Sequence, residues 1–383
     1  MNLLVRRFNK LADIPAQDWN NLINNTNPFL RHEFLAGLER YQCLDNQGWY
    51  PNHLIVFSDG KLAGALPIYF KSNSVGEFVF DWDWADAYER AGGQYYPKIV
   101  SAVPFTPVTG KRLLVHPDDA CKDKIKELLI SSAIELAEES EVSGLHYLFP
   151  DEDDCSELFH RGLSLRLACQ YHWFNHGYRD FDDFLDRLSS KKRKQIKRER
   201  KSVQKAGIEI EILRGSEIHA DQWAKFYEFY RSTFYRKWGK PRLTLAFFQY
   251  LGQKLPESTL LFLARYDGKY VAGAFVMEGS DTLFGRHWGC DSQFRYLHFE
   301  LCYYQTIEYC IRHGLKKLDA GAQGEHKISR GFVPIRTWSA HWISNKEFRK
   351  AVEDYLLHEQ RYMEHYIDKL TLHLPYKQCV SNN

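Results

Sequence analysis

The sequence predicts an α/β protein made of two diverged copies of one unit, and three observations carry that expectation. Its 383 residues are too many for one ordinary core and enough for two. Residues 54–68 read LIVFSDGKLAGALPI and residues 262–276 read FLARYDGKYVAGAFV, so a β-rich run, Asp-Gly-Lys, Ala-Gly-Ala and a second β-rich run occur twice. Each stretch is followed, at a distance, by helical periodicity, a glycine and a short strand pattern.

The hairpins come first. Asp-Gly between two β-rich runs marks a tight turn, because such turns need positive φ. In the first copy DKIKELLISSAIELAE at 123–138 has a helical period, with Gly144 in VSGLHYLF as its stop before a strand. In the second copy FELCYYQTIEYCIRH at 299–313 places Phe299, Tyr303, Ile307 and Cys310 or Ile311 on one helical face. Gly314 ends that helix and LKKLDAG reads as a strand. From Gly64 to Gly144 the first copy holds 39 more residues than the second holds from Gly273 to Gly314. The excess includes FDWDWADAYERAGGQYYPKIVSAVPFTPVTG, rich in aromatics, Pro and Gly and poor in helical signals. A long irregular insertion is either a functional segment or a packed flap over a core edge.

Between the copies, Asp180 or Asp183 is placed to cap a helix starting near Phe181. The run 191–205, from Lys191 to Lys205, has nine Lys or Arg against one Glu; Gly207 ends it and IEIEI follows as a strand. ADQWAKFYEFYRSTFYRKWG and TLAFFQYLGQKL read as amphipathic helices, and KEFRKAVEDYLLHEQRYMEHYIDKL as a closing helical brace. The expected domains are 1–165, with the aromatic insertion, and 166–383, with the basic helix and the brace.

Composition narrows the class. A formal net charge of +2 gives no global field for nucleic acid or membrane, so any such partner must be met by a local patch. The eight cysteines form no CxxC pair and no zinc spacing, which suggests reduced thiols, no metal and a cytoplasmic protein. The first residues carry no apolar core of signal-peptide length, and no apolar run is long enough to span a membrane.

Two long motifs carry a family likeness: WADAYERAGGQYYPKIVSAVPFTPVTGKRLL and LHFELCYYQTIEYCIRHGLKKLDAGAQGEHKISRGFVPIRTWSAH. With the tandem halves and the basic helix, they make the chain resemble the FemAB-like branch of the GNAT superfamily, the N-acyltransferases labelled peptidoglycan biosynthesis/recognition proteins. The resemblance implies tandem GNAT-like domains with mixed sheets splayed at their middle strands. It implies attack of an amine on a thioester or ester at the splay, without a metal. The sequence departs from ordinary GNAT enzymes in one respect. Their glycine-rich turn before the central helix cradles the coenzyme A pyrophosphate; here that turn reads DSQFRYLHFE, with Arg295 and no glycine, and in the first copy VHPDDACKD, which is acidic. The donor is therefore either an acyl-CoA or an aminoacyl-tRNA, the latter suited to the basic run 191–205 as a phosphate patch. That run is equally readable as a solvated helix face.

The site residues follow from that frame. GAQGEHKISRGF lies at the C-terminal end of a strand, where open α/β sheets place ligands. Within it Glu325 or His326 is the expected base, and Lys327 and Arg330 the anion or oxyanion partners. Glu325 is favoured, because a carboxylate also orients a protonated amine. His287 in GRHWGC is either a general base or a core histidine. Glu300 is either a helix-start carboxylate or a cleft residue, and Tyr304 on its face is a candidate general acid. Arg295, His298, Glu300, Lys327 and Arg330 form the expected donor-binding set. Asp86, Tyr88, Tyr95, Tyr96, Lys98, Arg112, Trp288 and Gln323 form the expected acceptor-binding set. The activity expected is direct N-acyl transfer to a small or peptidoglycan-precursor amine. The alternatives are an aminoacyl-tRNA-dependent transferase and a non-catalytic glycan- or RNA-binding protein.

Overall fold

A computed structural model describes residues 2–23, 27–236, 239–291, 294–321 and 324–377. The chain divides into two compact units, residues 1–168 with 336–365, and residues 169–335 with 366–383. The expected second domain was continuous from 166; instead residues 336–365 return to the first unit.

The first unit contains β1 (Leu3–Phe8), α1 (Ala16–Asn21), α2 (His32–Arg40), β2 (Trp49–Pro51), β3 (His53–Ser58), β4 (Lys61–Leu66), β5 (Tyr69–Lys71) and α3 (Trp82–Arg90). It continues with β6 (Lys98–Ser101), β7 (Leu114–Val115), α4 (Lys122–Glu139), β8 (Gly144–Leu148) and α5 (Glu152–His160). β9 (Ser164–Phe174) leads into the second unit, which holds α6 (Phe181–Asp186), α7 (Ser190–Lys205), β10 (Glu209–Arg214), α8 (Ala220–Tyr235) and α9 (Leu245–Lys254). β11 (Thr259–Tyr266), β12 (Lys269–Glu278), β13 (Thr282–Cys290), α10 (Leu297–Phe299), a π-helical turn (Glu300–Tyr304), α11 (Gln305–Arg312) and β14 (Lys317–Asp319) follow. A 3-10 helix (Glu325–Arg330), β15 (Val333–Ile343) and α12 (Lys346–Thr371) complete the order.

Each unit carries one Asp-Gly-Lys hairpin. β3 and β4 turn at Asp59 (φ 48°) and Gly60 (φ 84°); β11 and β12 turn at Asp267 (φ 48°) and Gly268 (φ 70°). Both hairpins slip register at the same step after the turn, so Ala63 and Val271 are the bulged residues. This shared bulge aligns Gly64 with Ala272, one residue short of Gly273. A one-residue offset reverses the face of a strand. Accordingly a Cβ on Gly64 would meet Ile125 of α4, whereas one on Gly273 would meet Phe226 and Phe229 of α8. The repeat is real in the turn and the bulge; the Ala-Gly-Ala likeness is not an equivalence.

In the first unit β1, β3, β4 and β7 form one antiparallel sheet. β8 pairs in parallel with β6 and antiparallel with residues 339–343 of β15, and β6 leads through β5 to β2. The insertion was expected to be irregular. It supplies α3 and β6, whose residues Lys98 to Ser101 are buried and pair with β5 and β8. Ile125, Leu129, Ile130 and Ala133 of α4 pack on Leu54, Val56 and Leu66, each large side chain contributing roughly 1.5–3 kcal/mol on burial. Glu141 at φ 51°, rather than Gly144, makes the left-handed exit from α4, and Gly144 opens β8.

In the second unit β10, β11, β12 and β13 run antiparallel, β14 lies parallel to β13, and β9 is antiparallel to β14. Asp180 caps α6 by accepting from the Asp183 N–H at 2.8 Å, and Thr244 caps α9. Leu301, Ile307 and Cys310 pack on Ala272, Ala274 and Leu318. Among the described residues no helix is long and apolar enough to cross a membrane.

The approach of α8 to β13 is the tightest constraint on this sheet. A Cβ on Gly289 would lie 2.0 Å from the Phe229 carbonyl oxygen, a backbone atom that cannot turn aside. Gly289→Ala should therefore destabilise the protein by about 3 kcal/mol, at the upper end of overpacking costs, measured by urea denaturation. Unchanged stability would show that α8 is free to shift.

Candidate functional site

The site in the second unit begins where two parallel strands part. β13 and β14 pair only from Thr282↔Lys317 to Phe284↔Asp319, after which β13 runs on against β12 to Cys290. The register slips between Phe275 and Val276, leaving Arg286 as the extra residue of a bulge on β13. A bulge re-aims a side chain. Here Nη2 of Arg286 donates to Oδ2 of Asp319 at 3.3 Å, and Oδ1 of Asp319 accepts the Gly321 N–H at 2.8 Å. Burial pushes the Asp319 carboxyl up, but Arg286 and then His172 outweigh it and hold the group below its usual range.

The carbonyls of that turn receive Lys327, which lies on the 3-10 helix that follows. Its Nζ donates to the Ala320 carbonyl at 2.5 Å and the Gly321 carbonyl at 3.2 Å, with the Tyr171 ring 5.6 Å away. Burial lowers its pKa to about 8. An ammonium has three donors, and two of them are taken by these carbonyls, which aim the group.

Arg330 closes the same 3-10 helix from inside. Its Nη2 meets both oxygens of Glu199 at 3.0 and 3.2 Å, Nε donates to the Tyr304 hydroxyl at 3.0 Å, and Nη1 donates to the His326 carbonyl at 2.9 Å. The guanidinium also lies 3.5 Å from the Phe299 ring centroid. Tyr304 is fully buried and donates its hydroxyl to Glu199, and burial pushes its pKa up. Tyr304 is therefore a structural link, whereas the sequence offered it as a general acid facing a cleft. Glu300 lies in the π-helical turn, where it pairs with Arg200 at 3.1 Å and accepts from Gln305 at 2.8 Å. Burial raises its pKa.

His326 is exposed, with Nε2 2.9 Å from the Tyr303 hydroxyl and its ring among those of His298, Phe299 and Tyr303. Burial, then Arg330 and Lys327, hold it below its ordinary value. His298 stacks edge-on to Trp288 at 5.2 Å, and burial lowers its pKa to about 4. Glu325 is exposed and accepts from the Tyr366 hydroxyl at 2.6 Å. Arg295 is exposed over the Tyr296 ring, and Tyr296 holds the positive φ of 68° before α10. Gln323 lies outside the described residues. His287 is placed away from this group. It is half-buried among Tyr230, Phe248 and Phe275, and burial lowers its pKa to about 3, so it is a neutral ring packed on aromatics.

The first-unit candidates are mostly internal. Lys98 is fully buried and donates to Ser74 and Glu77, each at 2.8 Å, and to Asp81. Tyr95 is fully buried and donates to Asp81 at 2.6 Å, and Tyr96 shares a 2.8 Å hydrogen bond with Ser74. Burial raises Glu77 to about 7; Asp81 is held low because Lys98 and His146 outweigh its burial. Arg112 is fully buried and gives four of its five guanidinium N–H groups to the carbonyls of Val108, Gly110, Lys111 and Leu148, so it clamps a loop from inside. Tyr88 packs on Phe348 and Tyr95, while Asp86 is exposed and pairs with Arg90 one turn along α3.

The two units, each with an Asp-Gly-Lys hairpin and a parallel strand pair, define a tandem GNAT-like fold with mixed, splayed sheets. The chain belongs to the FemAB-like family, described as peptidoglycan biosynthesis/recognition, which matches residues 10–378. No curated protein matches the sequence. Among solved structures it resembles FemX, with a TM-score of 0.56 at 12% identity, covering 91% of this chain and 100% of FemX. It also resembles the C-terminal domain of a putative lysylphosphatidylglycerol synthetase from Agrobacterium fabrum, with a TM-score of 0.52 at 10% identity over 90% of this chain and 96% of that one. L-PGS from Bacillus licheniformis gives a TM-score of 0.50 at 10% identity over 92% and 98%.

Sequence reasoning missed Glu199, Asp319, Glu77 and Asp81. Glu199 had a legible signal, since it is the single acid in the basic run and falls on the stripe of Ile196 and Val203, the buried face of α7.

Two outcomes follow from these networks. Glu199→Leu should destabilise the protein by about 3–5 kcal/mol in chemical denaturation by stranding the buried Arg330, and adding Arg330→Met should recover most of that loss. If the double variant is as unstable as the single, the pair is not the cause. The second outcome concerns pH. A folded-state pKa of about 7 for Glu77, above its ordinary 4.5, gives stability that is complete below 4.5 and lost as pH rises through 7. Between pH 6 and 8.5 the melting temperature of the Glu77→Gln variant should fall less than that of the parent protein; equal slopes would exclude Glu77 as the titrating group.

Proposed function

We propose that the protein is an N-acyltransferase that moves an acyl or aminoacyl group onto the amine of a peptidoglycan precursor by direct attack. Family membership supports the peptidoglycan side of this reading, and the fold supports transfer at the splay. The observation that carries it is Lys327, an ammonium aimed by two carbonyls at the point where β13 and β14 part.

The amine nitrogen attacks the donor carbonyl, a C–N bond forms, and the C–S or C–O bond to the carrier breaks. The carbonyl oxygen gains charge on the way, and the third donor of Lys327 is suited to hold it. The amine must lose a proton. Glu325 and His326 each meet a tyrosine hydroxyl, of Tyr366 and Tyr303, and His326 suits the role better because its imidazole is held below its ordinary pKa. The proton then passes to the leaving carrier. Arg330 and Tyr304 act through the loop they hold and touch no reacting atom.

The test is an assay of amide formation by mass spectrometry, using acetyl-CoA, longer acyl-CoAs and aminoacyl-tRNA as donors and an amine-bearing muropeptide as acceptor. Lys327→Met should lower kcat by roughly 10²–10³-fold, and His326→Asn by roughly 10²–10⁴-fold. Glu325→Gln should change it little. Turnover should fall above about pH 8, as Lys327 loses its proton, and below the ordinary histidine range, as His326 gains one. Full turnover by Lys327→Met would remove the reading, as would the failure of every donor to yield an amide.

A further inference from the structure

α7 presents two opposite faces of different chemistry. Ile196, Glu199 and Val203 are buried. Lys191, Lys194, Arg198, Lys201 and Lys205 are all exposed, and their 3-4-3-4 spacing gathers them in an arc of about 80° along roughly 21 Å of helix. Of the other four cations of α7, Lys192 is half-buried and three meet protein carboxylates. Arg193 pairs with Asp186 at 2.7 Å, Lys197 with Asp182 at 2.8 Å, and Arg200 with Glu300 and Glu308 at 3.1 and 2.7 Å. Among the described residues none of the five stripe cations makes an ion pair.

We propose that this face docks the protein peripherally on an anionic lipid bilayer. Five like charges on one straight face need a polyanion, and two features select a lipid surface. The first is the kind of cation. Arginine is the residue that grips individual phosphates bidentately, and α7 turns Arg193 and Arg200 toward protein carboxylates while leaving four lysines and one arginine outside. Hydrated lysine charges suit the smeared potential of anionic headgroups. α7 also has no aromatic residue on which a nucleic-acid base could stack. The second is an exposed apolar residue on a segment bonded to the start of α7. The C-terminal strap is bonded to the start of α7, through Ser189 N–H to Pro375 carbonyl at 2.8 Å and Lys377 N–H to Arg187 carbonyl at 2.9 Å. Three residues before Pro375, Leu372 is 84% exposed, more than any other large hydrophobic side chain described. An exposed leucine on the segment bonded to the start of a lysine-rich helix fits an interfacial, non-spanning contact. The inference stands independently of the transferase reading.

The experiment is co-sedimentation of the full chain with vesicles of phosphatidylcholine alone or with about one third phosphatidylglycerol, at rising salt. The protein should sediment only with the anionic vesicles and be released by salt. Each stripe charge should contribute roughly fivefold, so Lys191→Glu, Lys194→Glu, Arg198→Glu and Lys201→Glu together should cost at least about a hundredfold. Leu372→Asp should weaken binding several-fold. The control reverses four exposed lysines of the other unit, Lys122, Lys124, Lys346 and Lys350, giving the same net charge with binding retained. If the reversed stripe alters the melting temperature, the four alanine substitutions replace it. The proposal is overturned if the parent protein ignores anionic vesicles at low salt or if the control loses binding equally. It is also overturned if the stripe binds tRNA while vesicles do not sediment the protein.

Discussion

The buried ion pair between Glu199 and Arg330 is the interaction on which the second unit's candidate site depends. Taking two charges out of water costs several kcal/mol each, and their attraction offsets this only when every remaining donor and acceptor is met. Here the requirement is nearly fulfilled. Tyr304 bonds to both partners, the His326 carbonyl takes a further guanidinium N–H, and the Phe299 ring covers the cation. Three pieces of chain are thereby fixed to one another: α7, the π-helical turn and the 3-10 helix that carries His326 and Lys327. Arg200 repeats the tie one residue along α7 through Glu300 and Glu308. A 3-10 helix of six residues has little stability of its own, so its geometry is set by this anchoring.

The two units bury a lysine in contrasting ways. Lys98 faces two carboxylates, which together outweigh its burial and raise its pKa. Among the described residues Lys327 bonds to two carbonyls, and burial outweighs the pull of Asp319, bringing its pKa down to about 8. The first arrangement is self-satisfied for the cation and reads as a lock. The second brings the ammonium near its ionisation point at neutral to mildly alkaline pH.

Local irregularities do the positioning. The bulge at Arg286 turns that side chain toward Asp319, and the pair holds the turn whose carbonyls receive Lys327. The π-helical turn between α10 and α11 lets Glu300 and Tyr304 both reach α7. π turns of this kind recur at functional sites, and each strains a ladder that a uniform helix would satisfy.

The sequence by itself determined the two hairpins, the helix and strand spans around them, the basic helix and the cluster at 324–330, because turn chemistry and periodicity act over a few residues. It also pointed to the family, through motifs long enough to be specific. It misjudged residues whose role is set by what lies opposite them. Arg112, Tyr95 and Lys98 looked like site residues and are interior ones, since residue type does not encode burial. Glu199 looked incidental in a basic run and is the anchor of the site. Its contact with Arg330 spans 131 residues of chain. Only the tertiary structure could decide that pairing: every cation in the chain was an equal candidate for that carboxylate until packing brought one of them beside it and excluded water from both.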